Sequence, residues 1–168
     1  MLKLSFISLL FIFSLANAEE TRHASAHVHG LNNLTMVLSQ NQIAISYEMP
    51  IIQLHEEHEE HEEHEELAIK NKSLMEFQNH LQLFELPVGA ECELSSFKSE
   101  FHNVSTEGDH KDIELSYEFY CNEPNLLNGI QINAFDRFDD LKMVNFDAII
   151  NNQGFTKSFN SLEDKITF

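Results

Sequence analysis

The sequence predicts an α+β fold: a mainly antiparallel β-sheet with one principal helix after the second strand, preceded by a signal peptide. Three observations carry that prediction. Apolar and polar residues alternate in several short runs, the period of half-buried strands. One stretch, residues 63 to 82, instead spaces its apolar residues three and four apart, as an amphipathic helix does. The first eighteen residues have the parts of an export signal.

In that signal Lys3 is the positive start, Leu4 to Leu15 the apolar centre, and Ala16-Asn17-Ala18 a small-x-small cleavage site. Cleavage there makes Glu19 the first residue of an exported chain. No later run reaches the roughly 18 apolar residues of a transmembrane helix. Residues 19 to 168 fit a single domain with a real core, and of the chain's fourteen Phe the eleven outside the signal help to fill it.

The strands follow in order. Leu34, Met36 and Leu38 alternate with Asn33, Thr35 and Val37; Ile43, Ile45 and Tyr47 alternate with Ala44 and Ser46. With the polar Ser39-Gln40-Asn41-Gln42 between them they read as a hairpin, and Pro50 ends its second strand. The helix is expected next, carrying Leu67, Ile69, Leu74, Met75, Phe77 and Leu81, with Pro87 closing the segment. Cys92, Leu94, Phe97 and Phe101 predict a third strand with an irregularity near Ser95-Ser96. After a polar loop at 102 to 111, Ile113 to Cys121 alternates cleanly as a fourth. Gly129 to Ala134 is the fifth, followed by a short turn or helix at Asp136 to Asp140. Met143 to Ile150 and Phe155 to Phe159 are the sixth and seventh, joined by a turn at Asn151-Asn152-Gln153-Gly154.

Composition narrows function. The formal charge is −18, with 28 acidic against 10 basic residues. That balance rejects nucleic acid and anionic membranes as partners and favours cations. Cys92 and Cys121 are the two cysteines. In an oxidising compartment a pair points to a disulfide, and two buried thiols are the plainer alternative.

The most informative segment is 55 to 66, which reads HEEHEEHEEHEE: eight carboxylates, four imidazoles and no apolar side chain. It cannot contribute to a core, so its value lies in what it binds. Imidazole suits zinc, copper and nickel, and carboxylate can complete a zinc shell. On a helix each three-residue step turns the side chain by about 60°. His55 with His58, and His61 with His64, would therefore share faces as two-His sites rather than form one cage. A solvated acidic run is the plainer alternative, but it has no need of His at every third place.

Two further groups hold possible ligands. His27 and His29 lie two apart, so an extended chain points both to one side, with His23 four residues earlier. The loop around His102, Asp109, His110 and Asp112 reads more simply as a hydrophilic connection. His80 is expected to be structural. No G-x-S-x-G, H-E-x-x-H or Gly-rich phosphate loop is present, so no enzyme is predicted.

Several stretches together resemble a known family. Arg22-His23-Ala24-Ser25-Ala26-His27-Val28-His29-Gly30 runs into Leu34-Thr35-Met36-Val37-Leu38. Tyr47-Glu48-Met49-Pro50 follows, then Phe84-Glu85-Leu86-Pro87 before Cys92-Glu93-Leu94, and Leu115 to Cys121. In these the chain is similar to the ZrgA family of exported zinc uptake proteins, over nearly all of the mature length. The resemblance implies a protein that binds zinc in the periplasm and assists a zinc importer of the inner membrane. It matches His27 and His29 to the family's N-terminal His motif and Cys92 and Cys121 to its paired cysteines. Family members often carry a His/Asp-rich run between the third and fourth strands. Here that loop is short, and the rich run lies between the second strand and the helix. This shifts the expected ligands to His55, His58, His61 and His64.

The sequence therefore reads as a periplasmic zinc-binding accessory protein that captures or buffers zinc for an importer. A copper or nickel detoxification sponge and an exported interaction domain without metal are the rivals.

Overall fold

The structure is a computed structural model and describes residues 30–54, 71–72, 75–103 and 111–168. Among the described residues nine strands form two sheets. The larger has six strands: β1 (Leu31–Ser39), β2 (Gln42–Pro50), β4 (Cys92–Asn103), β5 (Lys111–Cys121), β7 (Met143–Ile150) and β8 (Gln153–Phe159). Their spatial order is β4-β5-β2-β1-β7-β8. The smaller sheet, β3-β6-β9, consists of Phe84–Glu85, Gly129–Ile132 and Lys165–Thr167.

Strict alternation decides which face of the large sheet is buried. Leu34, Met36 and Leu38 on β1, and Ile43, Ile45, Tyr47 and Met49 on β2, all point into the core. So do Ile113, Leu115, Tyr117 and Phe119 on β5, and Val144, Phe146 and Ile150 on β7. The small sheet closes over them: the Phe84 ring meets Tyr117 edge-on with centroids 5.3 Å apart. Such a pair contributes about 0.5–1.5 kcal/mol beyond the area it buries.

Two hairpin turns follow from side-chain chemistry. Asn151 and Asn152, between β7 and β8, both sit in the left-handed region at φ 51° and 64°. Two such residues give the turn whose twist matches paired strands, and Asn tolerates that conformation. Between β1 and β2, Asn41 is tied to the far strand. Its Nδ2 donates to the Cys121 carbonyl at 2.8 Å, and its own carbonyl accepts from the Cys121 amide at 2.8 Å.

Cys92 and Cys121 form a disulfide between directly opposed positions of β4 and β5. The irregularity expected near Ser95-Ser96 is a bulge, where the register shifts between Leu94 and Ser96.

The expected α+β class with one principal helix is overturned. Among the described residues the chain is mostly strand, with only short helical pieces. Within the predicted 63–82 span the described residues are helical at 71–72 and 75–77 alone, and a separate 3-10 turn covers His80–Gln82. The rest of that span lies outside the described residues. A continuing helix would have the Leu81 amide donate to the Phe77 carbonyl. That carbonyl is instead taken by the Tyr117 hydroxyl at 2.7 Å. Leu81 donates to Asn79 Oδ1, and Asn79 is non-helical at φ −82°, ψ 88°. A short polar side chain has outcompeted the helical bond locally. The apolar stripe also fails as a buried face, since Met75 is 83% exposed and Leu81 49%.

The sheet is mainly antiparallel as expected, but β1 and β7 pair in parallel, from Leu31 opposite Met143 to Leu38 opposite Ile150. Strands β3 and β9 were not anticipated. At 134 to 137 the chain makes a single helical turn, Ala134–Arg137, two residues earlier than expected.

Candidate metal-binding site

Strand direction brings the described residues that flank the chain's His-bearing segments to one end of the large sheet. β1 begins there at Leu31, opposite the start of β7. β2 runs back and ends there at Pro50, opposite Asp112 near the start of β5. β4 ends there too, with Asn103 opposite Lys111. Gly30 is bonded to His29. From Pro50 the 3-10 turn Ile51–Leu54 leads directly to His55. Asn103 and Lys111 bracket the loop that contains His110. Neighbouring strands lie about 4.8 Å apart, so three spacings, roughly 14 Å, separate β1 from β4 in the order given above.

All seven predicted metal ligands, His23, His27, His29, His55, His58, His61 and His64, lie outside the described residues, as does His110. Their points of attachment are what the fold fixes. His27 is three residues from Gly30, so its Cα lies within about 11 Å of that anchor by chain length alone. His55 adjoins Leu54. The donors attached at this end, imidazole nitrogens and carboxylate oxygens, are those zinc accepts.

The sheet adds carboxylates that the sequence reading did not single out. Asn145, Asn33, Glu48, Glu114 and Glu100 are successive partners across β7, β1, β2, β5 and β4. They alternate with core residues and so lie on the outer face, two residues in from the end. Glu114 is oriented by the Ser46 hydroxyl, which donates to its Oε1 at 2.7 Å, and by Ser116 at 3.4 Å. In the next row outward Asp112, only 1% exposed, is the register partner of His102. Like charges directly opposite one another across strands are unfavourable. Among the described residues no three His, Cys, Asp or Glu converge as a metal shell. The signal for the row was present in the sequence: Glu114 and Glu118 alternate with Ile113, Leu115 and Tyr117 and share the outer side.

Beneath this end the core is sealed by a polar pair. Asn32 Nδ2 donates to the Tyr47 hydroxyl at 2.8 Å, and both residues are fully buried. Burial drives the Tyr47 pKa well above the usual tyrosine value, with the Asn32 hydrogen bond opposing it.

His80 stands apart from all of this. Its ring lies edge-on to Phe119 at 4.8 Å and tilted to Phe84 at 5.4 Å. Burial pushes its pKa down, and the charge of Glu85 works against that shift. It is a packing residue, as its sequence context suggested.

A family model described as ZrgA family zinc uptake protein matches residues 26–168. The chain belongs to the ZrgA family. A search of curated proteins finds no match. The ZrgA match begins one residue before His27, so it takes in the His27-Val28-His29-Gly30 start as well as both cysteines. Membership ties the chain to zinc uptake and narrows the choice among zinc, copper and nickel that a bare His-Glu run leaves open.

Proposed function

We propose that this protein captures zinc in the periplasm and holds it in exchangeable form for an importer, without catalysing a reaction. The supporting observation is the convergence of attachments: Gly30, Leu54, Asn103 and Lys111 all lie at one end of one sheet. These anchors lie within three strand spacings of one another, and the Glu48–Glu114–Glu100 row adds negative charge beside them. Zinc is the cargo. His27 and His29 supply one pair of imidazoles, and His55, His58, His61 and His64 supply more, each flanked by Glu. Several two-His sites bind less tightly than a closed four-ligand cage and release more readily, as delivery requires. The net negative charge raises the local cation concentration.

Neighbouring Glu charges stabilise protonated imidazole, so zinc has to displace protons to bind. Zinc titration of the intact protein beside a variant lacking residues 55 to 66 tests the reading. The deletion is expected to remove several zinc equivalents. Equal stoichiometry and affinity in the two proteins would sink it, and preferential retention of copper or nickel under competition would transfer the proposal to those metals.

A further inference from the structure

We propose that β4 is a docking edge for a second copy of this chain. The two β4 strands pair antiparallel about a two-fold axis at Ser99 and join two six-stranded sheets into one. The inference is independent of zinc. β4 lies at one end of the strand order and, among the described residues, is paired on one side alone, with β5. It is the longest of the described strands, at twelve residues. The opposite edge, β8, has seven. There the chain turns back through a bridge between Asn160 and Glu163, and Glu163 holds Lys157 at 2.7 Å. Unpaired backbone groups along a long edge strand are a template for a further strand. The core is also unfinished at β4. Ile113, Tyr117 and Phe119 on β5 are at most 1% exposed. Their register partners on β4, Phe101, Phe97 and Leu94, are only half-buried.

Side-chain parity and charge select the register. Beyond its bulge β4 runs regularly from Ser96 to Asn103. A two-fold pairing that keeps the core faces on one side must set residues of equal parity opposite each other, so the axis falls at a residue. An axis at Lys98 opposes two lysines, and an axis at Glu100 opposes two glutamates; both are unfavourable. An axis at Ser99, between them, sets Lys98 opposite the partner's Glu100 and Glu100 opposite the partner's Lys98. Both side chains are exposed, and neither has an ion pair among the described residues. The same register sets Phe97 opposite the partner's Phe101 on the core face, where both are left half-buried. Ser99 is 7% exposed and its Oγ has no hydrogen-bond partner. Rotation about its Cα–Cβ bond turns that hydroxyl toward the partner's Ser99, donor to acceptor. The formal charge of −18 on each chain opposes association, but charges beyond contact range are screened over about 8 Å at physiological salt.

The test is sedimentation equilibrium of the metal-free protein at physiological salt, beside Lys98→Glu and the exchanged pair Lys98→Glu with Glu100→Lys. The unaltered protein should dimerise. Lys98→Glu places a carboxylate opposite Glu100 on both sides of the axis and should weaken the dimer about tenfold or more. The exchanged pair restores opposite charges and should restore the dimer, which a change that merely damaged the surface would not do. Lys98 faces Ser116 within its own sheet, so circular dichroism of all three proteins should coincide. A second measurement needs no variant: amide exchange in β4 should slow as protein concentration rises, while exchange in β8 stays constant. A protein that remains monomeric at millimolar concentration overturns the proposal. So does a dimer that Lys98→Glu leaves as tight, that the exchanged pair fails to restore, or that forms without slowing exchange in β4.

Discussion

Removing the disulfide should cost stability without touching zinc affinity, because the bond and the proposed capture site lie at opposite ends of the same strands. Cys92 and Cys121 are 29 residues apart in sequence. A cross-link closing a loop of that length lowers the entropy of the unfolded chain by about 12 cal/mol/K, or about 3.6 kcal/mol at 25 °C. The native geometry is already set by strand pairing, since the two cysteines are register partners. Asn41 holds Cys121 through two further hydrogen bonds. Cys92→Ala with Cys121→Ala, and the reduced wild-type protein, should therefore fold to the same structure with roughly 3–4 kcal/mol less stability. Cys92 and Asn103 are the two ends of the β4 strand. At about 3.3 Å per residue the bond lies roughly 35 Å from the end where the His-bearing segments attach. Urea unfolding with and without reductant measures the first effect, and zinc titration of the folded variant measures the second. A stability change below about 1 kcal/mol would refute the entropic argument. A fall in zinc affinity in a variant that is still fully folded would refute the separation of the two ends.

Four other outcomes are expected. Tyr117→Phe removes the donor to the buried Phe77 carbonyl and should cost about 1–3 kcal/mol in urea unfolding; a neutral change would mean that the carbonyl finds another donor. His80 has its pKa lowered by burial, so the unfolded chain takes up that proton first as pH falls below about 6.5. Stability should then drop with falling pH in that range, and His80→Phe should flatten that part of the profile; superimposable wild-type and variant curves would refute it. Zinc affinity should fall by up to about tenfold per displaced proton for each pH unit below the ordinary imidazole pKa, and a flat response between pH 7.5 and 6 would argue against His ligands. Glu48→Gln relieves one like-charge contact with Glu114 and should raise metal-free stability by a few tenths of a kcal/mol, with weaker zinc capture at low salt; lower stability would show that Glu48 is favourably paired.

Much of the sheet was legible because period-two alternation is a local signal. Ile113 to Cys121 needed no partner to identify it, and Asn151-Asn152 announced its own turn. The small sheet was not legible, because Phe84–Glu85 and Lys165–Thr167 are too short to show a period. The parallel pairing of β1 with β7 joins residues more than a hundred positions apart and leaves no mark on either strand alone. The helix was misread for a physical reason: its spacing was right, but the Phe77 carbonyl had a better partner in Tyr117 and Leu81 a nearer one in Asn79. The candidate donors were legible from residue type, whereas their common point of attachment was not. It depends on the registers of β1, β2, β4 and β5 taken together.

That common attachment has an energetic consequence for a zinc ion bridging the N-terminal His pair and the His-Glu run. Gly30 and Leu54 are separated by 24 residues of sequence. In an unfolded chain, bringing two such points together costs roughly 2.8 kcal/mol of loop-closure entropy. The β1–β2 hairpin has already closed that loop, and the core face of Leu34, Met36, Ile43 and Ile45 holds it closed. Metal binding then does not bear that closure cost again. The same logic explains why so polar a run as HEEHEEHEEHEE can be useful on a small domain. It contributes nothing to the core, yet the core reduces the entropy lost when its imidazoles gather round an ion. Detached from the sheet, the run would keep its donors and lose that advantage.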